Sequence, residues 1–269
     1  MNAAVARLES VSDTPRLDAE LLMAHALDVE RDALLLHHLD DPAPPGFEAL
    51  VARRLAHEPV AYITGRRAFW TIELAVGPGV LVPRPDSETL IEAAIDHFGD
   101  RAPRHILDLG TGPGTLLLAA LAQWPAAHGL GIDQSFDAWA YFEENVIELG
   151  MEDRARFDYG DWAQGRQGQW DLILCNPPYI EAGADLPPDV ACHEPGAALY
   201  AGADGLDAYR ALAPQLPPLL APGGVICVEI GAGQLISVSD LFAREHFTIE
   251  SRRDLRGIER CLVLTLDRE

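Results

Sequence analysis

Over the first 60 residues the apolar positions recur at helical rather than alternating spacing. Thr14 and Pro15 form an N-cap and first-turn pair, and Leu17, Leu21 and Ala24 then repeat at intervals of four and three. Beyond the proline-rich break DPAPPG, Phe47, Leu50, Val51 and Leu55 mark one face of a further helix. A small helical bundle is expected. From Phe69 the pattern changes to FWTIELAVGPGVLV, rich in β-branched and aromatic residues and broken by Gly77, Pro78 and Gly79, which predicts a β-hairpin. The chain then divides into a helical domain over 1–68, a hairpin linker over 69–82 and a second domain over 83–269.

The second domain alternates between the two periodicities. A helix from Ser87 to Phe98 precedes the strand HILDLG, and a long apolar helix follows through LLLAALAQW. The strand GLGID, a helix from Ala138 to Leu149 and the strands ARFDYG and WDLILC come next. A helix from Leu206 to Leu220, the strand GGVICVEIG, another helix, and the strands FTIESR and RCLVLTLD complete the chain. Such alternation implies a parallel sheet covered by helices on both faces. The last two strands are too close in sequence for a helical crossover and should pair antiparallel.

Charge narrows the function. With 20 Lys plus Arg against 42 Asp plus Glu, the formal charge of -22 repels phosphate backbones, so a direct nucleic-acid partner is disfavoured. The same acidity either attracts a basic partner or only aids solubility. Cys175, Cys192, Cys227 and Cys261 form no CxxC pair and no metal-ligand spacing, so reduced and mostly buried thiols are expected, with no metal site. No apolar run reaches signal-peptide or membrane-span length, which points to a cytoplasmic protein.

Two features suggest a nucleoside ligand. Gly110, Thr111, Gly112, Pro113 and Gly114 stand where a buried strand turns into a helix, and glycines there let a ligand approach the backbone and the unpaired N–H groups of a helix start. The spacing is GxGxG rather than the GxGxxG of dinucleotide sites. Asp133 closes the next strand, 19 residues beyond Gly114, where a carboxylate can accept hydrogen bonds from ribose hydroxyls. A tight turn and an N-cap aspartate are the plain alternatives. Nothing in these two features separates S-adenosylmethionine from a nicotinamide cofactor.

Asn176, Pro177, Pro178 and Tyr179 follow the apolar strand DLILC directly, at the sheet edge where ligands of such folds bind. Consecutive prolines remove two N–H donors and stiffen the backbone. The Asn176 side-chain oxygen and the Pro177 carbonyl can then accept both hydrogens of a substrate NH2 group, while the Tyr179 ring packs on its planar face. Two acceptors favour pyramidalisation of a poorly nucleophilic amide nitrogen and direct its lone pair toward an incoming methyl group. A structural turn at a strand end is the competing reading.

Taken together, these motifs resemble the release factor glutamine methyltransferases of the HemK/PrmC type over essentially the whole chain. Tyr62 to Gly65 and Phe69 resemble the family's YIxG and F elements, and Pro83 to Glu88 resemble PRPETE with Asp86 and Ser87 as departures. LDLGTGPG resembles LDLGTGSG, and Ala138 to Asn145 is similar to a helix ending in Asn. Gly160, Asp161 and Trp162 resemble GDW, which implies an acid near the adenine amino group and an aromatic beside the ring. Asn176 to Ile180 reads NPPYI, as in the family. Glu194 to Leu199 resembles EPxxAL, with His193 where an aromatic is usual; Glu229 to Gln234 resembles EIGxxQ, and Asp254, Gly257 and Arg260 resemble DxxGxxR.

The resemblance implies an α/β fold: a Rossmann-like class I methyltransferase domain with a seven-stranded, mostly parallel sheet whose last strand is antiparallel. An N-terminal helical bundle joined by a hairpin would recognise the substrate. S-adenosylmethionine would be the cofactor, and the partner a class I release factor, methylated at the glutamine of its Gly-Gly-Gln motif by a monomeric enzyme. A sister family modifies a ribosomal-protein glutamine and usually reads PRSP where this chain has PRPD, so Pro85 leans toward release factors. An adenine-N6 nucleic-acid methyltransferase could use the same acceptor motif, but needs a basic groove.

Overall fold

The structure is a computed structural model that describes residues 1–39 and 41–266. The chain forms two compact units. Residues Met1–Arg66, Val76–Pro78 and Leu186–Glu194 make the first; Arg67–Ala75, Gly79–Asp185 and the chain from Pro195 onward make the second.

The first unit contains α1 (Asn2–Leu8), α2 (Pro15–Leu27), α3 (Arg31–His37), α4 (Phe47–Leu55) and α5 (Val60–Thr64). Pro15 opens α2, where a missing N–H costs nothing, although the Thr14 hydroxyl reaches Asp18 at 3.3 Å and does not cap a backbone N–H. The buried face of α2 is Ala19, Leu22 and Met23, with Ala24, while Leu17 is exposed. Of the three apolar positions that marked this helix in the sequence, Ala24 is buried, Leu21 is half-buried and only Leu17 is exposed. Leu8, Leu34, Phe47, Val51 and Ile63 complete the core. Two carboxylates are buried on α2 because each is paired: Asp18 with Arg54 at 2.8 Å, and Glu20 with Arg16 and Arg31, both at 2.8 Å.

A hairpin follows, but not where the glycines suggested. Its strands are β1 (Arg66–Phe69) and β2 (Ile72–Ala75), and the turn falls at Trp70, which takes a left-handed φ of 55°. Gly77, Pro78 and Gly79 lie beyond the hairpin in an irregular segment, and the expected second strand through Val82 does not form.

Beyond a 3-10 turn at Pro85–Ser87, the second unit continues with α6 (Glu88–Phe98), β3 (His105–Leu109), α7 (Thr115–Gln123), β4 (His128–Asp133), α8 (Phe136–Glu148), β5 (Ala155–Tyr159) and β6 (Trp170–Cys175). Next come α9 (Pro188–Ala191), which belongs to the first unit, α10 (Asp207–Leu212), β7 (Leu220–Glu229), α11 (Leu235–Ala243), β8 (Thr248–Arg253) and β9 (Glu259–Thr265). The seven-stranded sheet has the order β5-β4-β3-β6-β7-β9-β8, and only β9 runs against the rest. The helix expected over Leu206 to Leu220 stops at Leu212 and gives way to 3-10 turns, because Pro214, Pro217 and Pro218 withdraw N–H groups from any longer helix. The end of the last predicted strand, Asp267, lies outside the described residues.

Because β3 pairs with β4 on one side and with β6 on the other, the strand order reverses there, and a crevice opens at the carboxyl ends of β3 and β6. Ile173, Cys175, Ile226, Val228, Leu262 and Leu264 fill the core on one face of the sheet. Cys175, Cys227 and Cys261 are buried free thiols, whereas Cys192 is exposed. No helix among the described residues is long and apolar enough to cross a membrane.

One buried side chain ties the hairpin to the crevice. The Asn145 amide on α8 donates to the carbonyls of Ala75 (3.1 Å) and Pro113 (2.9 Å) and accepts from the Ala75 N–H (2.6 Å). Alanine at this position strands three buried polar groups. Asn145→Ala is expected to cost about 2 to 4 kcal/mol in chemical denaturation, far more than a surface substitution.

Candidate active site

The crevice holds a cleft of about 200 Å³. Its floor comes from the turn after β3: Gly110 and Gly112 line it, with Gly112 at a φ of 56° that favours glycine and with open space where a side chain would stand. Asp133, at the end of β4, lines one side. Its carboxylate accepts from the Gly112 N–H and the Ser135 N–H, both at 2.9 Å, which fixes its orientation beside the glycine turn. Asp161 and Trp162 form another wall, and the Trp162 ring edge lies close over Gly110. Asn176 and Pro178 close the cleft from the end of β6.

Thr111 and Pro113 line a neighbouring recess together with Asp108, Arg84 and Ser87, and Asn176 borders both spaces. Gly114 lines neither; it is the N-cap residue of α7. The Thr111 hydroxyl donates to Asp108 Oδ2 at 2.6 Å, as does the Leu117 N–H at 3.2 Å, but the buried Oδ1 has no partner among the described residues. Burial pushes the Asp108 carboxyl from 3.8 up to about 7; the Thr111 and Leu117 hydrogen bonds oppose the rise and Asp133 adds to it. The folded chain therefore binds this proton more tightly than the unfolded chain does. Stability should fall as pH climbs from about 4 to about 7, and in Asp108→Asn that fall should shrink, as read from denaturation midpoints across the range.

At the end of β6 the Asn176 Nδ2 donates to the Ser87 hydroxyl at 3.1 Å. Among the described residues, no donor reaches Asn176 Oδ1 or the Pro177 carbonyl. Tyr179, the last residue of the tetrapeptide, is half-buried. Its hydroxyl donates toward Glu229 Oε1 at 3.3 Å, and burial followed by the Glu229 charge raises its pKa. Its carbonyl accepts from the Gln234 side chain at 3.0 Å, so Gln234 braces the segment after the prolines.

The chain matches the PrmC N-terminal domain over residues 1–65 and the methyltransferase small domain over residues 86–191. A release factor glutamine methyltransferase of Rhodospirillum rubrum is 47% identical over 257 residues, covering 93% of this chain and 79% of that protein. This chain belongs to the release factor glutamine methyltransferase family. Another member, from Caulobacter vibrioides, is 40% identical over 93% of this chain and 89% of its own length. Among solved structures, a T. Thermophilus 16S rRNA N2 G1207 methyltransferase in complex with AdoMet and guanosine superposes with a TM-score of 0.52 at 18% identity. That overlap covers 75% of this chain and 49% of the other, and shows the shared fold of the methyltransferase domain.

Several residues that line the cleft carried no signal in the glycine, acid or proline motifs. Val80 and Leu81 line the cleft from the loop after the hairpin, and Ser135 and Ala138 line it from the start of α8. Pro195 and Ala198 also line it, and both belong to the EPxxAL stretch, whose spacing marked them without indicating what they touch.

Proposed function

We propose that the cleft binds S-adenosylmethionine and that the chain methylates the side-chain amide nitrogen, N5, of the glutamine in the Gly-Gly-Gln motif of class I release factors. The observation that carries this reading is the pair of unpartnered acceptors, Asn176 Oδ1 and the Pro177 carbonyl, beside a cleft with nucleoside-binding chemistry. The residues present fit the cofactor. Asp133 offers carboxylate oxygens to ribose hydroxyls, and Asp161 and Trp162 suit an adenine edge and face. The open position at Gly112 admits the chain between them.

Bound there, the cofactor supplies a methyl group activated by its sulfonium. The protein's part is to hold the nucleophile. Asn176 Oδ1 and the Pro177 carbonyl accept the two N–H hydrogens of the glutamine amide and turn its nitrogen toward the cleft, and the rigid Pro177-Pro178 pair keeps that geometry from relaxing. Drawing on both hydrogens localises the nitrogen lone pair, which resonance otherwise spreads into the carbonyl. The first unit would recognise the body of the release factor.

The test mixes purified enzyme, labelled S-adenosylmethionine and each class I release factor, with a Gln→Ala loop variant as control, and locates the methyl by mass spectrometry. A methyl on the loop glutamine that disappears in the control is the expected result. Labelling of another residue, or equal labelling of the control, contradicts the reading.

A further inference from the structure

We infer that ionised Glu229 is a positioning residue: through the Ser87 hydroxyl it holds the Asn176 amide with its oxygen, rather than its nitrogen, presented to the substrate. This rests on the amide-methylation reading above. Glu229 ends β7 and is 1% exposed, and Ser87, just before α6, is 2% exposed. Glu229 Oε2 accepts from the Ser87 hydroxyl at 2.5 Å, while Oε1 faces the Tyr179 hydroxyl.

An ionised carboxylate can only accept, so Ser87 must donate to it. The Ser87 lone pairs then face Asn176, and only the NH2 end of that amide can meet them, at 3.1 Å. The two ends of an amide have nearly the same shape, so the direction of these hydrogen bonds selects the orientation. A proton on Glu229 reverses the sequence. Glu229 then donates to Ser87, Ser87 donates to Asn176 Oδ1, and the NH2 group confronts the substrate NH2, donor against donor.

The groups facing Glu229 are Arg260 on β9, Asp86 beside Ser87, Tyr179 after β6, Tyr209 on α10, whose hydroxyl donates to the Glu229 carbonyl at 2.9 Å, and the Cys175 and Cys261 thiols. Burial lifts the Glu229 carboxyl from 4.5 to about 7; Ser87, Arg260 and Tyr179 oppose the rise and Asp86 adds to it.

The experiment compares the full chain with Glu229→Gln, Ser87→Ala and Ser87→Thr. Rates are measured at saturating S-adenosylmethionine with a class I release factor across neutral pH, cofactor binding by calorimetry, and the Asn176 side-chain nitrogen by NMR without substrate. Ser87→Ala should lose about 10- to 100-fold in kcat with cofactor affinity unchanged within about twofold, Ser87→Thr should keep most of the activity, and Glu229→Gln, whose amide oxygen still accepts from Ser87 but can also turn its NH2 end toward it, should lose less than Ser87→Ala. The wild-type acid-side fall in kcat, and the matching titration of the Asn176 signal, should vanish in Glu229→Gln. Wild-type rates and an intact acid limb in Glu229→Gln, or Ser87→Thr as impaired as Ser87→Ala, overturn the inference. An Asn176 signal that follows Glu229 while no release factor gains a methyl group supports the positioning role and sinks the substrate assignment instead.

Discussion

Replacing Asn176 with alanine lowers saturated methyl transfer by about two to three orders of magnitude, the loss found when a preorganised polar group aimed at a reacting centre is removed. Cofactor affinity should change little if, as proposed, Asp133, the glycine turn and Trp162 supply the nucleoside contacts; all of them line the cleft. Single-turnover rates at saturating cofactor, set beside calorimetric dissociation constants, separate the two effects. Equal losses in both would make Asn176 a structural support of the cleft. Asn176→Asp is a second probe. It keeps an oxygen acceptor but places a negative charge beside Glu229, and should fall between alanine and wild type.

The second large effect belongs to Asp133. Alanine there removes the ribose acceptor and also leaves the Gly112 and Ser135 N–H groups without their partner. A hydrogen bond to a charged group contributes about 1.5 to 3 kcal/mol, so the loss of even one should weaken cofactor affinity by about 10- to 100-fold or more. Saturated turnover should stay within a few-fold of wild type if the carboxylate serves the ribose rather than the reacting group. Asp133→Asn keeps one acceptor oxygen for the glycine turn and should weaken binding less. An unchanged dissociation constant for Asp133→Ala would remove the ribose role.

Strand and helix alternation in the second unit was legible because each element has its own hydrophobic period, and the order of motifs placed the glycine turn, Asp133 and the prolines on one edge of the sheet. The hairpin was displaced because its turn is built on Trp70 in a left-handed conformation, whereas the glycine-proline cluster that signals a turn instead marks the following loop. Other parts depend on contacts between distant residues. Asn145 meets Ala75 across 70 positions and Ser87 meets Glu229 across 142, and no local pattern announces either bond. The hydrogen bond from the Tyr179 hydroxyl to Glu229, across 50 positions, is of the same kind.

The most direct test is a crystal structure of the chain with S-adenosylhomocysteine and a Gly-Gly-Gln peptide. The glutamine amide nitrogen should lie within about 3 Å of both Asn176 Oδ1 and the Pro177 carbonyl, facing the sulfur. A glutamine side chain bound elsewhere, or an Asn176 amide that presents its nitrogen to the peptide, would contradict the account.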